Sequence, residues 1–131
     1  MSQNASITGR WHGRYTYLDG GEGEAFEADL IESQDAIIGT TTEASTFHGQ
    51  KATRKATVSG SRNGSIVSFV KHYARGHAHD EPIKYDGEVN DDATEIEGIW
   101  RIDRNAFGRF LMIRDLALPQ AIEMKAEEEV R

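Results

Sequence analysis

Residues 51–73 read KATRKATVSGSRNGSIVSFVKHY, two alternating segments on either side of a turn signal. Asn63-Gly64 in the middle is the strongest short signal for a β-hairpin, because both positions accept a positive φ. The second segment places four residues on one face, namely Val67, Phe69, Lys71 and Tyr73. Strict alternation of this kind indicates β-strands rather than helix.

The same pattern extends outward in both directions, until it covers residues 9–114. Turn signals separate eight segments: Gly9 to Tyr17, Ala25 to Ser33, Ala36 to Ala44, Lys51 to Ser61, Ser65 to Tyr73, Ile83 to Asn90, Glu95 to Arg104 and Gly108 to Arg114. A chain of short strands has to protect its sheet edges, and closing the sheet on itself does so. We therefore predict an all-β fold, an eight-stranded antiparallel up-and-down β-barrel.

The residues outside the barrel are predicted to form two short terminal regions. Residues 1–8 are expected to be a flexible N-terminus. In residues 115–131 the pattern changes to Pro119 followed by good helix formers, which predicts a C-terminal helical tail. The barrel is the only domain expected, since 131 residues suffice for one domain.

Composition excludes several classes of function. The chain has no cysteine, which rules out a disulfide scaffold, a thiol nucleophile and a cysteine metal site. A net charge of -7 argues against a nucleic acid as the main partner. No apolar run is long enough to span a bilayer and no secretory signal is visible, so a cytoplasmic location without a membrane partner is expected. Homo-oligomerisation is left open.

The first strand and the last residue of the barrel carry a resemblance. Gly9-Arg10-Trp11, eight meander strands and Arg114 at the end of the last strand resemble the calycin superfamily, which includes lipocalins, fatty-acid-binding proteins and the avidin group. The resemblance implies that Trp11 closes one barrel end and that Arg114 packs across it. The short strands are more similar to avidin-like barrels than to secreted lipocalins. The ligand set of the biotin site has no clear match.

Polar and aromatic groups on the apolar side of the segments are the candidate site. If that side points inward, the predicted ligand-binding residues are Tyr15, Tyr17, Lys71, Tyr73, Tyr85, Trp100 and Arg114, with Arg54 on the same side. A buried cation needs a partner, and this side offers few acids. We therefore expect non-covalent binding of a small organic ligand, anionic or polar-ended, in the lumen. The apolar wall would be Phe26, Leu30, Phe69 and Phe110.

Some of these assignments have an alternative. Arg114 would serve only as the closing residue if no ligand reaches it, and Lys71 could extend to water at the rim. The faces of Ile37 and Ile38 are undecided, because either residue fits the inside and a slip of one residue exchanges the two faces.

Two other classes of function remain open. The first is a small-barrel isomerase or cyclase, in which Tyr73 or Tyr85 donates a proton and Lys71 or Arg114 stabilises an oxyanion. The second is a filled barrel that acts as an interaction module. No nucleophile elbow, phosphate loop or zinc-protease motif is present, so no catalytic residue, cofactor or metal site is predicted.

Two weaker sequence patterns involve a group of histidines and a group of arginines. His72, His77 and His79 beside Asp80 have a spacing compatible with a metal contact, although a ligand-recognising loop or a solvated surface explains them as well. Arginines near the last hairpin, together with aromatic residues, could stack single-stranded nucleic acid, which the net charge disfavours. This set is Arg101, Arg104, Arg109, Arg114, Trp100, Phe107 and Phe110.

Overall fold

The alternating segments form strands in the computed structural model, which describes residues 5–17, 23–47, 49–73, 81–103 and 106–116. The strands are β1 (Gly9–Tyr17), β2 (Glu24–Ser33), β3 (Ala36–Phe47), β4 (Gln50–Asn63), β5 (Ile66–Tyr73), β6 (Ile83–Val89), β7 (Glu95–Arg101) and β8 (Phe107–Arg114). Each pairs antiparallel with the next, and β1 pairs with β8, from Trp11 opposite Arg114 to Tyr17 opposite Gly108. The predicted eight-stranded barrel is confirmed. The predicted C-terminal helix falls in residues 117–131, outside the described part of the chain.

Alternation along each strand decides which side chains enter the barrel. Ile37 is 1% exposed, whereas Ile38 is 56% exposed, so the odd-numbered residues of β3 point inward. Thr41 and Glu43 share this side and are buried as well. The side of β3 that the sequence left undecided is therefore settled, and it brings an acidic residue inside.

Aromatic rings fill the middle of the barrel. Phe69 and Tyr85 stack with their ring centroids 4.9 Å apart, and Phe110 meets Tyr85 edge-on at 5.0 Å. Phe26 lies so close to Gly13 that a Cβ added there would come within 2.2 Å of the ring. Glycine at this position therefore makes room for the ring, and little of the central lumen is left for a ligand.

One end of the barrel is closed by the segment before β1. Trp11 donates from Nε1 to the carbonyl of Ile7 at 2.9 Å, and both side chains are fully buried. The Arg114 guanidinium lies 5.4 Å from the Trp11 ring and donates to the carbonyls of Ser6 at 2.6 Å, Ala93 at 3.1 Å and Thr8. This geometry matches the closing role that the resemblance implies for Trp11 and Arg114. We call it the closed end.

Replacing Arg114 by methionine is expected to lower the free energy of unfolding by about 2–3 kcal/mol. The variant keeps an apolar stem but removes the charged donor shared by three carbonyls, and hydrogen bonds to charged groups are the stronger ones. Urea unfolding followed by tryptophan fluorescence measures the change. Arg109→Met on the exposed outer face of the same strand is the matched control. Equal stabilities of the two variants would contradict the closing role.

Candidate functional site

The opposite end of the barrel holds a pocket among aromatic side chains. Its volume is about 130 Å³, and its lining residues are Tyr15, Tyr17, Arg54, Tyr73, Glu81, Ile83, Tyr85, Trp100 and Ile102. Five of the seven predicted ligand-binding residues are in this set. Lys71 lies next to it, and Arg114 is at the closed end, so the structure does not bring Arg114 together with the others. We call this site the open-end pocket.

One wall of the open-end pocket is a cluster of edge-to-face rings. Trp100 meets Tyr17 at 5.1 Å and Tyr15 at 5.7 Å between ring centroids, with interplanar angles of 88° and 75°. Trp100 also donates from Nε1 to the carbonyl of Thr16 at 3.0 Å. Edge-to-face ring pairs stabilise a structure by more than the burial of their surface alone. The two ring contacts and the hydrogen bond from Nε1 together fix the position of the indole. The wall is therefore preformed.

A buried ion pair lies beside the pocket. Lys71 Nζ donates to Glu43 Oε1 at 3.3 Å, and each side chain is 1% exposed. The expectation that few acids lie on the inner side is therefore corrected, because Glu43 is directly available to neutralise Lys71. The alternative in which Lys71 reaches water at the rim does not match this burial.

Four rings surround the same ammonium group. Lys71 Nζ lies 4.9 Å to 5.4 Å from the ring centroids of Tyr15, Phe26, Tyr73 and Tyr85. Ring faces attract a cation at this distance, which offsets part of the water that the ammonium has lost. Burial still lowers the pKa of Lys71 from its usual value, against the opposing effect of Glu43.

Tyrosine hydroxyls complete the network around Glu43. Tyr73 donates to Glu43 Oε1 at 2.7 Å, and the Tyr15 hydroxyl contacts Glu43 Oε2 at 3.0 Å and the Glu24 carboxylate. Burial first, and then the neighbouring carboxylates, raise the pKa values of Tyr15 and Tyr73. Both phenols therefore stay protonated at neutral pH, as hydrogen-bond donors.

Arg54 stands apart from this network. Its guanidinium carbon lies 3.9 Å from the Tyr73 ring centroid, a stacking contact. Its Nε atom is buried and has no hydrogen-bond partner. In the β3–β4 ladder Arg54 is paired with Glu43, yet no ion pair joins the two side chains. The pocket lining therefore includes a guanidinium that forms no ion pair with the described residues.

Sequence reasoning missed Glu43 and Glu24 as parts of the site. Glu24 shares the inner side of β2 with Phe26, and Glu43 shares that of β3 with Ile37. The alternation was the available signal. In β3 the alternation assigns Glu43 to the inside only if Ile37, rather than Ile38, points inward, and the sequence alone does not decide between the two.

The remaining sequence patterns do not converge on a site. Among the described residues, no group of three or more potential ligands could hold a metal ion; His77, His79 and Asp80 lie outside those residues, and His72 is exposed on β5. Trp100 and Phe110 are buried inside the barrel, away from the exposed Arg101 and Arg109. The described part of the chain also contains no helix long and apolar enough to cross a membrane.

Comparison with known proteins adds no assignment to this geometry. No protein-family model matches the chain, and no curated protein matches it. The closed antiparallel eight-stranded barrel is consistent with a calycin-like fold.

Proposed function

We propose that this protein is a calycin-like barrel of the avidin-like kind that binds a small organic ligand non-covalently in the open-end pocket. The observation that carries the proposal is the convergence of Tyr15, Tyr17, Tyr73, Tyr85 and Trp100 on one preformed pocket. Aromatic walls with a few placed polar groups are typical of small-molecule sites. Arg54 supplies such a polar group here, whereas the hydroxyls of Tyr15 and Tyr73 already contact carboxylates.

The packed barrel restricts the size of the ligand. A pocket of about 130 Å³ has the volume of about four water molecules. Sites for drug-sized ligands are larger, about 300–1,000 Å³. The ligand, or the part of it that enters the barrel, is therefore a single ring or a short chain, held at the mouth rather than deep in the lumen.

Lys71 has a different role from the one its sequence position indicates. Glu43 neutralises its charge, so Lys71 does not call for an anionic ligand by itself. Glu43 also holds the hydroxyls of Tyr15 and Tyr73, and both of these tyrosines line the pocket. We propose that Lys71 supports the ligand site indirectly, through its ion pair with Glu43.

A ligand in the open-end pocket is expected to raise the melting temperature. At about ten times its Kd, a ligand that binds only the native state adds about 1.4 kcal/mol, or roughly 3–6 °C for a domain of this size. Differential scanning fluorimetry against small carboxylates, amides, amines and alcohols measures this shift. Native mass spectrometry of the purified protein tests for a ligand that it already carries.

A matched pair of variants locates the binding. Ile102→Trp places a large ring in the pocket, whereas Ile99→Trp makes the same change on the exposed outer face of β7. The melting shift should vanish in the first and persist in the second. Loss of the shift in both, or in neither, would place the ligand elsewhere.

The network beside the pocket favours a second candidate, a small-barrel isomerase. Tyr73 lines the pocket and hydrogen-bonds to Glu43, which in turn accepts from Lys71, so a proton donor and its supporting charges are present. Arg114 takes no part, because it lies at the closed end. Tyr73→Phe would then abolish turnover while leaving binding intact.

The rings that fill the middle of the barrel favour a third candidate, an interaction module without a ligand site. The absence of a melting shift with every compound tested would support it.

A further inference from the structure

Arg54 lines the open-end pocket, and its Nε donor has no hydrogen-bond partner. The Nε atom is also inaccessible to solvent. Buried polar groups are almost always hydrogen-bonded, so this exception indicates a guanidinium that is not committed to a partner among the described residues, and a ligand in the pocket would meet its terminal nitrogen atoms rather than Nε. A guanidinium carries donors and no acceptor, so its partners must be acceptor atoms.

The neighbours of Arg54 do not neutralise it. Its ladder partner Glu43 already accepts hydrogen bonds from Lys71, Tyr15 and Tyr73. Glu81 lines the same pocket, but within the described ranges it forms no ion pair with Arg54. Arg54 therefore lines the pocket without an ion pair among the described residues, and the Glu81 carboxylate is a negative group in the same lining.

The geometry of Arg54 also selects the shape of a partner. Stacking on the Tyr73 ring at 3.9 Å holds the guanidinium plane, and a fixed guanidinium offers donors in a fork that matches a carboxylate. Trp100 and Tyr17 form the edge-to-face wall of the same pocket. A carboxylate at Arg54 would leave the rest of the molecule against these rings.

We infer that the open-end pocket takes a small aromatic carboxylate, with its carboxylate on the Arg54 guanidinium and its ring against Trp100 and Tyr17. This inference rests on the proposed function and names the class of ligand for that site. The volume of about 130 Å³ suits one ring, and the packed rings below exclude a long alkyl chain. A neutral ring of the same shape would leave the Arg54 charge unpaired.

The test compares benzoate with benzamide, which has nearly the same shape and no charge. Titration calorimetry on the full chain is expected to give a benzoate Kd at least tenfold lower than that of benzamide, since a hydrogen bond to a charged group has about this effect. Octanoate is expected to bind more weakly than benzoate. Raising the salt concentration should weaken benzoate binding and leave benzamide unchanged.

Two variants assign the effect to one residue. Arg54→Gln removes the guanidinium, and Lys55→Gln makes the same change of charge on the adjacent residue, whose side chain is exposed on the outer face of β4. Benzoate binding should weaken about tenfold or more in Arg54→Gln and stay unchanged in Lys55→Gln. Circular dichroism confirms that both variants fold.

The outcomes separate this inference from the proposed function. If benzamide or benzylamine binds as well as benzoate and is displaced by Ile102→Trp, the pocket is a ligand site but the carboxylate inference is wrong. If Arg54→Gln and Lys55→Gln weaken benzoate equally, the effect is one of net charge and the inference is also wrong. If no compound of any class binds at millimolar concentration, both the inference and the proposed function fail.

Discussion

Replacing Glu43 by glutamine is expected to lower the free energy of unfolding by about 3–5 kcal/mol. The change keeps the size of the side chain but leaves the Lys71 ammonium buried without its counterion, and both side chains are 1% exposed. Removing one partner of such a pair is far more costly than the pair itself is stabilising, because the remaining charge has lost its water. Urea unfolding at neutral pH measures the loss.

The double variant Glu43→Gln/Lys71→Met provides the decisive comparison. It removes both charges, so most of the stability lost in the single variant should return. Asp29→Asn is the matched control, because it breaks the exposed pair of Asp29 with Arg10 and is expected to change stability by less than about 1 kcal/mol. If Glu43→Gln costs no more than Asp29→Asn, Lys71 is not buried as described.

The fold could be predicted from the sequence because two local signals, alternation of apolar residues and turn residues, agree along most of the barrel. Alternation indicates a strand and its inner side, and glycine or asparagine at the turns sets its end, as at Asn63-Gly64. Neither signal depends on distant residues. β3 is the exception, since Ile37 and Ile38 are equally apolar and only the assembled barrel places Ile37 inside.

The site could be predicted only in part, because alternation assigns a side chain to a face but not to an end of the barrel. Trp11 and Tyr17 lie on the same face of β1, yet six residues along a strand span about 20 Å. The β1–β8 register pairs Trp11 with Arg114 and Tyr17 with Gly108. Arg114 is therefore separated from the tyrosines by most of the barrel, a fact fixed by pairing between the two ends of the chain.

The charges of the site were harder to predict than its rings. Aromatic residues such as Tyr73 and Tyr85 alternate with polar ones and so stand out, whereas Glu43 follows a row of threonines that fit either face. Without Glu43, Lys71 looked like the cation that needs a ligand. Glu43 neutralises Lys71, whereas the Nε atom of Arg54 has no hydrogen-bond partner.

Raising the pH above about 10.5 is expected to destabilise the barrel steeply. Burial raises the pKa values of Tyr15, Tyr73 and Tyr85, so all three keep their protons in the folded state, whereas in the unfolded chain a tyrosine loses its proton with an ordinary pKa of 10.0. The unfolded state then binds fewer protons than the folded state, and stability falls as pH rises. Each tyrosine contributes a slope of about 1.4 kcal/mol per pH unit, and the three together contribute about 6 kcal/mol by pH 11.5.

Deprotonation of Lys71 changes the free energy of unfolding in the opposite direction and sets the pH at which the net loss of stability begins. Burial lowers its pKa, so stability increases with pH between that lowered pKa and the ordinary value of 10.5, and the contribution is constant above it. The net decrease should therefore become steep only above about pH 10.5.

Urea unfolding at several pH values from 9 to 11.5, with tyrosinate absorbance recorded in parallel, gives the slope of stability against pH. Tyr85→Phe removes one of the three tyrosine hydroxyls and should reduce the slope by about 1.4 kcal/mol per pH unit. An unchanged slope would mean that Tyr85 ionises in the folded barrel as freely as in the unfolded chain, which its 1% exposure argues against.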